Sequence, residues 1–511
     1  MRNFALPMEY VIVQAGGKGS RLETLTANKP KALVPVGNLP MVFHLFKKYP
    51  KAKFIIIGDY KFDVLKRYLQ TFAKDIDFEV IKAVGKGTCS GISSALERIP
   101  ENKAFMLIWC DLILSSSEVI PSNIENNFIG ISKDFRCRWS FKDGRFLESP
   151  SSEHGVAGMF LFKNKSQISE VPPEGEFVRW LSGKNLEFNE LGMYGGIEVG
   201  TMLSYFQNEL NKPKCRPFNK IEFSKDRVIK YALDEQGAKL ARDEVGWYKE
   251  VTRSGFKYIP KVFDYSPLAM ERVQGENVFY YSFLTKPFKK ALLTEIVNAL
   301  DSLHNLAPSS QASPEDCMLV YFKKTFDRLS SVKHLVPFAS EPYIKINGKN
   351  CRNVFFIEDQ IRESIKKYLP EKFYLIHGDC TFHNILIDTK KVRPVLIDPR
   401  GYFGSSKLYG DIDYDWAKLY YSICGDYDQF NRKNFSLLIN EFDVELEIVS
   451  NNWSQLEDYF FSITKANKKK IRLLHALIWL SLTTYAWDDY DAICGAFYKG
   501  LLELNRYLSN E

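Results

Sequence analysis

The run Tyr374-Leu-Ile-His-Gly-Asp-Cys-Thr-Phe-His-Asn-Ile-Leu-Ile-Asp388, followed soon after by Val395-Leu-Ile-Asp-Pro-Arg-Gly401, leaves little freedom in how the chain around it can fold. Its apolar segments are too short for helices and are bounded by Gly, Asp and Pro, so they read as strands. Asp379, Asn384 and Asp398 fall between those strands. An acid placed this way can take the proton of an acceptor hydroxyl. An amide and a second acid nearby can hold magnesium on nucleotide phosphates. The spacing supplies all three groups.

The distance from Asp379 to Asn384 matches the kinase pattern H-R-D-x-x-x-x-N, with His377-Gly-Asp379 in place of His-Arg-Asp. This resembles the aminoglycoside phosphotransferase and choline kinase superfamily, whose members phosphorylate small molecules. The resemblance implies Asp379 as catalytic base and Asn384 and Asp398 as metal ligands.

The chain has 511 residues, enough for two large domains or three smaller ones. Apolar residues at 45% and charged residues at 26% are ordinary globular usage, without a disordered tract. A net charge of +7, dispersed among the acids, does not call for a nucleic-acid partner, and most of these charges read as solvated surface. Nine cysteines form no Cys-x-x-Cys pair, which fits a reduced cytoplasm. Met1-Arg-Asn-Phe-Ala-Leu-Pro7 offers no signal core. No run is long enough to insert in a membrane, and Ala476-Leu-Ile-Trp-Leu-Ser-Leu482 reads as a buried helix.

The first half of the chain alternates short apolar runs, such as Lys53–Ile57 and Phe105–Trp109, with helical stretches over 63–73 and 89–98. That alternation predicts β-α-β units and a mostly parallel sheet, with ligands at the carboxyl ends of its strands. Tyr10-Val-Ile-Val-Gln-Ala15 runs directly into Gly16-Gly17-Lys-Gly19-Ser20-Arg21, with a helix expected from about Leu22. Such a turn either closes backbone N–H groups, here from Ala15 to Ser20, around a phosphate, or only tightens a strand-to-helix connection.

The continuation, Leu22-Glu-Thr-Leu-Thr26 and Lys29-Pro-Lys-Ala-Leu-Val-Pro-Val36, is similar to the signature of sugar-nucleotide and phosphocholine nucleotidyltransferases. The resemblance implies a nucleotide-contacting turn at Gly87-Thr88, a magnesium ligand at Asp111 and an acceptor-side strand from His154 to Phe162. Where many members of that family carry a second metal-binding Asp, this chain has Glu198, and the second contact stays open. The chemistry agrees with the resemblance. A phosphate monoester carrying about two negative charges must approach a triphosphate, so cations are needed to neutralise like charge. Arg21 and Lys31 are suited to that task, and the phosphate oxygen is itself the nucleophile.

Prolines and basic residues in Lys212-Pro-Lys-Cys-Arg-Pro217 mark a boundary, giving a nucleotidyltransferase domain over 1–212 and a kinase-like domain over 219–511. The second opens with a hairpin, Lys220–Phe223 and Arg227–Ala232, whose Lys230 is the candidate clamp for nucleotide phosphates. A helix from Glu235 to Val251 would present Glu244 to hold it. Ala269–Gly275 resembles an interlobe hinge. Helices are expected over 294–306 and 358–369, with the intervening segment around Glu341–Lys349 read as an insertion. Gly410-Asp-Ile-Asp-Tyr-Asp-Trp-Ala417 resembles a family segment in which Asp411 and Asp415 open a helix and steady the catalytic loop. Trp416, Trp479, Trp487, Tyr485 and Tyr490 either pack a core, the favoured reading, or line an acceptor pocket that could cage a quaternary ammonium.

The fold class expected is α/β: a Rossmann-like nucleotidyltransferase with a mostly parallel sheet, followed by a two-lobed α+β kinase-like domain. The function expected is phosphorylation of a small alcohol or sugar by ATP. Transfer of a nucleoside monophosphate from CTP or another triphosphate onto the new phosphate follows, with Mg2+ as cofactor. The NDP-linked product would feed cell-surface polysaccharide. Two alternatives are a choline or ethanolamine kinase fused to its cytidylyltransferase, and a chain in which one domain is a silent nucleotide-sensing scaffold.

Overall fold

The computed structural model describes residues 8–117, 120–121, 123–209 and 219–509. The expected boundary at Lys212–Pro217 and the N-terminal Met1–Pro7 lie outside these residues. The described residues up to 209, together with Trp487–Asp491, form one compact unit, and the others form a second.

The strands of the first unit are β1 (Tyr10–Gln14), β2 (Lys53–Gly58), β3 (Phe78–Lys82), β4 (Phe105–Trp109), β5 (Leu112–Ile113), β6 (Phe128–Ser132), β7 (Ser140–Lys142), β8 (Arg145–Leu147), β9 (Gly155–Phe162), β10 (Asn189–Met193) and β11 (Ile197–Glu198). The main sheet runs β10-β6-β9-β4-β1-β2-β3. Its pairs β1/β2, β2/β3, β1/β4 and β6/β10 are parallel, and β9 alone on this path runs antiparallel to its neighbours β4 and β6. Every residue of β9 is buried, as its unbroken Gly-Val-Ala-Gly-Met-Phe-Leu-Phe run requires of a strand covered on both faces. Ile12, Ile55, Ile57, Leu107, Phe160 and Phe177 meet in one core cluster.

β1 and β4 are central and adjacent, with Gln14 opposite Trp109, so the glycine-rich turn and Asp111 leave the sheet at the same edge. Two expected helices differ. Ser20–Thr26 is a 3₁₀ turn, entered through Gly19 at φ 67° and broken at Glu23, where φ is 47°. The partial positive charge of an α-helix terminus is therefore missing behind the glycine-rich turn. The stretch 89–98 is helical only over Ile92–Leu96, since Gly91 precedes it at φ 81°.

The second unit opens with the hairpin Asn219–Phe223 and Arg227–Ala232, which joins Leu268–Glu271 and Val262–Tyr265 in an antiparallel sheet. The helix Glu235–Arg253 follows, started by Asp234, whose carboxylate accepts the Gly237 N–H at 2.8 Å. Farther along, the helices Lys286–His304, Ile412–Ile423 and Lys468–Leu482 each bury an apolar face in the interior. The Ala476 run lies in the last of these and is buried, as expected. Trp416 and Trp479 are core residues of this unit, whereas Trp487 and Tyr490 fall in the segment grouped with the first.

The segment read as an insertion is ordered structure. Tyr343–Ile346 and Lys349–Arg352 form a hairpin that joins a second hairpin, Phe435–Ile439 and Val444–Ile448. The two meet at a single parallel register pair, Ile346 opposite Val444. Asn347, at φ 49°, extends that seam with its side chain: its amide donates to the Leu446 carbonyl and its oxygen accepts the Leu446 N–H, both at 2.8 Å.

Candidate active sites

In the first unit, a cavity of about 240 Å³ opens where β1 and β4 end. Gly17, Gly19, Ser20, Arg21, Lys31, Thr88 and Asp111 line it, with Gln14, Trp109, Cys110 and Gly200. Gly19 is confined to this turn by its left-handed backbone and by Lys31, whose Cβ lies 3.1 Å from where a side chain would begin. Gln14 braces the turn at Thr88 from below, donating to the Thr88 carbonyl at 2.5 Å and the Ser90 carbonyl at 3.2 Å.

Three of the expected contacts do not face the cavity. Ala15 is fully buried and continues the strand pairing to the Ile57 carbonyl, and Gly16 packs on Asp59. Gly87, at φ 86°, is pressed against Gly175, whose carbonyl oxygen lies 2.3 Å from where a Cβ would sit. The Thr88 hydroxyl accepts the Phe177 N–H at 2.8 Å. Thr88 therefore links this turn to the helix Phe177–Ser182.

Lys31, largely buried, forms an ion pair with Asp111. Glu198 joins them, because β11 pairs with β5 so that Glu198 stands opposite Leu112 and the Val199 N–H reaches the Asp111 carbonyl at 3.0 Å. Burial, and then the charge of Asp111, raise the Glu198 pKa, while Lys31 and Arg21 oppose that shift. The position left open by the sequence thus brings a second carboxylate to Asp111. Two oxygen-donating acids beside two cations suit a hard divalent ion such as Mg2+. Cys110 is no nucleophile here, since burial and then Asp111 push its thiol up to about 12.

In the second unit, the hairpin Ile385–Asp388 with Arg393–Leu396 sets Asn384 opposite Ile397, whose N–H donates to the Asn384 carbonyl at 2.9 Å. Asp398 follows immediately. The Asn384 amide donates to the Asp379 carbonyl at 2.7 Å and to the Asp379 carboxylate at 3.1 Å. Lys418 holds the other carboxylate oxygen at 2.9 Å. Lys230 contacts Glu244 at 2.6 Å and also pairs with Asp398. Burial works against the Lys230 charge, but Asp398 and Glu244 outweigh it and the pKa is raised, so the ammonium is kept. Asn384 and Asp398 offer oxygen donors fitted to Mg2+.

The loop is fixed from behind. His377 is buried, which lowers its pKa. Its Nδ1 accepts the Asp379 N–H at 3.2 Å, which leaves Nε2 to donate to the Ile397 carbonyl at 2.9 Å. One neutral imidazole thus ties the Asp379 loop to the strand leading into Asp398. Asp415, fully buried, accepts the His377 N–H at 2.8 Å, the Gly378 N–H at 2.7 Å and His304 Nε2 at 3.0 Å. Asp411 caps the helix Ile412–Ile423 and pairs with Lys470 at 2.8 Å. Both acids thus have the supporting part expected of them.

Asp415→Ala is expected to cost about 3–5 kcal/mol, because it strands buried donors that now share one carboxylate. Burial opposes the charge of Asp415, but hydrogen bonding from His304, the His304 charge and the His377 N–H prevail and lower its pKa. Its contribution is therefore complete above the ordinary carboxylate pKa of 3.8 and is lost as pH falls through the lower folded value. Urea unfolding of wild type and variant at pH 7, in mild acid and below pH 3.8 should show the gap unchanged in mild acid and narrowing only in the stronger acid.

Two family descriptions match the chain. Residues 11–127 match the MobA-like NTP transferase domain, and residues 224–436 match the phosphotransferase enzyme family. The glucose-1-phosphate thymidylyltransferase of Streptomyces griseus is 30% identical over 127 residues, which is 24% of this chain and 32% of that protein. The chain thus spans about a third of the length of this curated relative. The crystal structure of HddC from Yersinia pseudotuberculosis is similar at 21% identity, covering 39% of this chain and 98% of that one with a TM-score of 0.34. The CTP:phosphocholine cytidylyltransferase LicC from Streptococcus pneumoniae is similar at 17% identity, covering 40% and 98% with a TM-score of 0.32. The chain accordingly joins a MobA-like NTP transferase domain to a domain of the phosphotransferase enzyme family.

Proposed function

We propose that the chain is a bifunctional enzyme that phosphorylates a small alcohol or sugar with ATP and then couples the new phosphate to a nucleoside monophosphate drawn from CTP or another triphosphate. Pyrophosphate leaves in the second reaction. The NDP-linked product would serve cell-surface polysaccharide assembly from the cytoplasm. No helix among the described residues is long and apolar enough to cross a membrane. The observation that carries the reading is that each unit brings its own set of cations and acids together: Lys31, Arg21, Asp111 and Glu198 in the first, Lys230, Asp379, Asn384 and Asp398 in the second.

In the second unit, Asp379 takes the proton of the acceptor hydroxyl as its oxygen attacks the terminal phosphorus of ATP. Lys230, held by Glu244, anchors the nucleotide phosphates, and ADP is released. Asn384 and Asp398 would hold Mg2+, which when bound neutralises phosphate charge. In the first unit, the acceptor phosphate oxygen attacks the α-phosphorus directly. Lys31 and Arg21 balance the charge that builds on the phosphates, and Asp111 with Glu198 would hold the metal.

The test is sequential. Given acceptor, Mg2+, ATP and each of the common triphosphates in turn, the full chain should accumulate an NDP-linked product, with the phosphorylated acceptor as its precursor by mass spectrometry. Tethering two sites raises the local concentration of the intermediate, though a small ester can still escape. A kinase product that proves inert to the first unit with every triphosphate rejects the pathway.

A further inference from the structure

Beside Asp379, in the second unit, lies a pocket whose charge is one-sided. Lys324, Arg328, Arg400 and Lys418 line it together with Tyr321, Tyr414, Tyr421, Tyr427 and Tyr485. Lys418 pairs with Asp379. The other three cations form no ion pair among the described residues. Arg328 donates to the Ser481 carbonyl at 2.8 Å and lies 4.3 Å from the Tyr485 ring centre, and Arg400 donates to the Tyr414 hydroxyl at 2.9 Å. The Lys324 backbone N–H donates to the Leu319 carbonyl, and its side chain makes no hydrogen bond among the described residues.

Like charges gathered in a partly buried pocket repel one another and lose hydration, and packing alone gives no return for that cost. Such an arrangement is stable when an anion completes it. A quaternary ammonium or an aminosugar would meet the opposite of what it needs. The aromatic rings here face cations of the protein itself: Arg400 lies 5.5 Å from the Tyr414 ring centre, and Lys418 lies 5.8 Å from Tyr414 and 5.7 Å from Tyr421.

We propose that this pocket binds an anionic group of the acceptor, a carboxylate or a phosphate borne by a small polyol or sugar, and so directs a free hydroxyl of the same molecule toward Asp379. The inference rests on the phosphotransferase reading above and narrows its substrate class. It places Lys324, Arg328 and Arg400 as acceptor-binding residues, separate from Lys230 and Asp398 on the nucleotide side.

Protonation gives a second signature. Burial first, then Arg400, Arg328 and Lys418, hold the Lys324 pKa down to about 6, with Asp379 opposing. The other titratable groups lining the pocket are Tyr321, whose hydroxyl is given to Asp411, and Tyr414, Tyr421, Tyr427 and Tyr485. A bound anion restores the ammonium, so binding near pH 8 takes up a proton, and calorimetric heats will depend on the ionisation enthalpy of the buffer.

The experiment uses the full chain with Mg-ATP and matched acceptors: glycerol, glycerate and glycerol 3-phosphate; glucose, glucuronate and glucose 6-phosphate; ethanolamine and choline. Turnover is expected only with anionic members, at least about 100-fold above their neutral counterparts in kcat/KM. Carboxylate against phosphate within each set identifies the group preferred. Lys324→Met should raise the acceptor KM about 10- to 100-fold while the KM for ATP holds. Arg328→Gln supplies the same readout if the first variant folds poorly.

Calorimetric titration of the same compounds separates the two readings. Anions that bind wild type, lose affinity in these variants and are never phosphorylated uphold the pocket and reject the phosphotransferase activity. Choline or glycerol turned over as well as the anionic members overturns the pocket and leaves the activity standing. Absence of binding by every anion, equal anion binding in wild type and both variants, or a loss confined to the KM for ATP, also overturns it.

Discussion

Asp379→Asn should abolish acceptor phosphorylation, lowering kcat by about 10²- to 10⁴-fold, the usual cost of removing a positioned general base. The substitution keeps the size of the side chain and its place between Asn384 and Lys418, so the loop stays intact and only proton acceptance is lost. The same variant, given pre-phosphorylated acceptor, should release pyrophosphate at the wild-type rate, since Asp379 has no place in the first unit. Phosphorylation at an undiminished rate would take Asp379 out of the chemistry.

Lys31→Ala should have the complementary effect. It removes the cation paired with Asp111, which lowers positive charge where the phosphates are proposed to meet and leaves two neighbouring carboxylates less compensated. Removal of one preorganised electrostatic partner at such a site costs about 10²- to 10³-fold in rate. Pyrophosphate release should fall by that factor while ADP release from the second unit continues unchanged. Equal damage to both reactions would mean that the substitution has disturbed folding, which a circular-dichroism melt would reveal.

What could be read from the residues alone follows the range of the interactions involved. Asp379 and Asn384 are set by one loop, and Lys230 and Glu244 by a strand and the helix after it, so local periodicity is enough to bring each pair together. Glu198 was harder, because its approach to Asp111 depends on β5 and β11, two-residue strands far apart in the chain with almost no pattern of their own. The basic pocket was invisible for the same reason. Lys324 and Arg328 share one helix, but Arg400 and Lys418 come from other segments, and each by itself looks like an ordinary surface charge. The helix expected at Leu22 failed on backbone geometry: the left-handed Gly19 and Glu23 tighten the turn, and the Thr26 hydroxyl donates to the carbonyls of both at 3.3 Å. Acceptor charge and strand-to-strand seams are long-range properties, and a pattern of neighbours does not carry them.

The seam at Asn347 bears on the order in which the second unit is built. Its two hairpins can each form early and locally, but joining them closes a loop of roughly 100 residues, an entropic cost of about 4 kcal/mol before any contact offsets it. One register pair and the side chain of Asn347 return little against that sum. The intervening strands and helices, which hold Asp379, Asp398 and Asp415, must therefore collapse first and bring the hairpins within reach. The Asp379 loop is thus assembled ahead of the sheet that later closes around its sequence, and weakening the seam should hasten unfolding more than it slows folding.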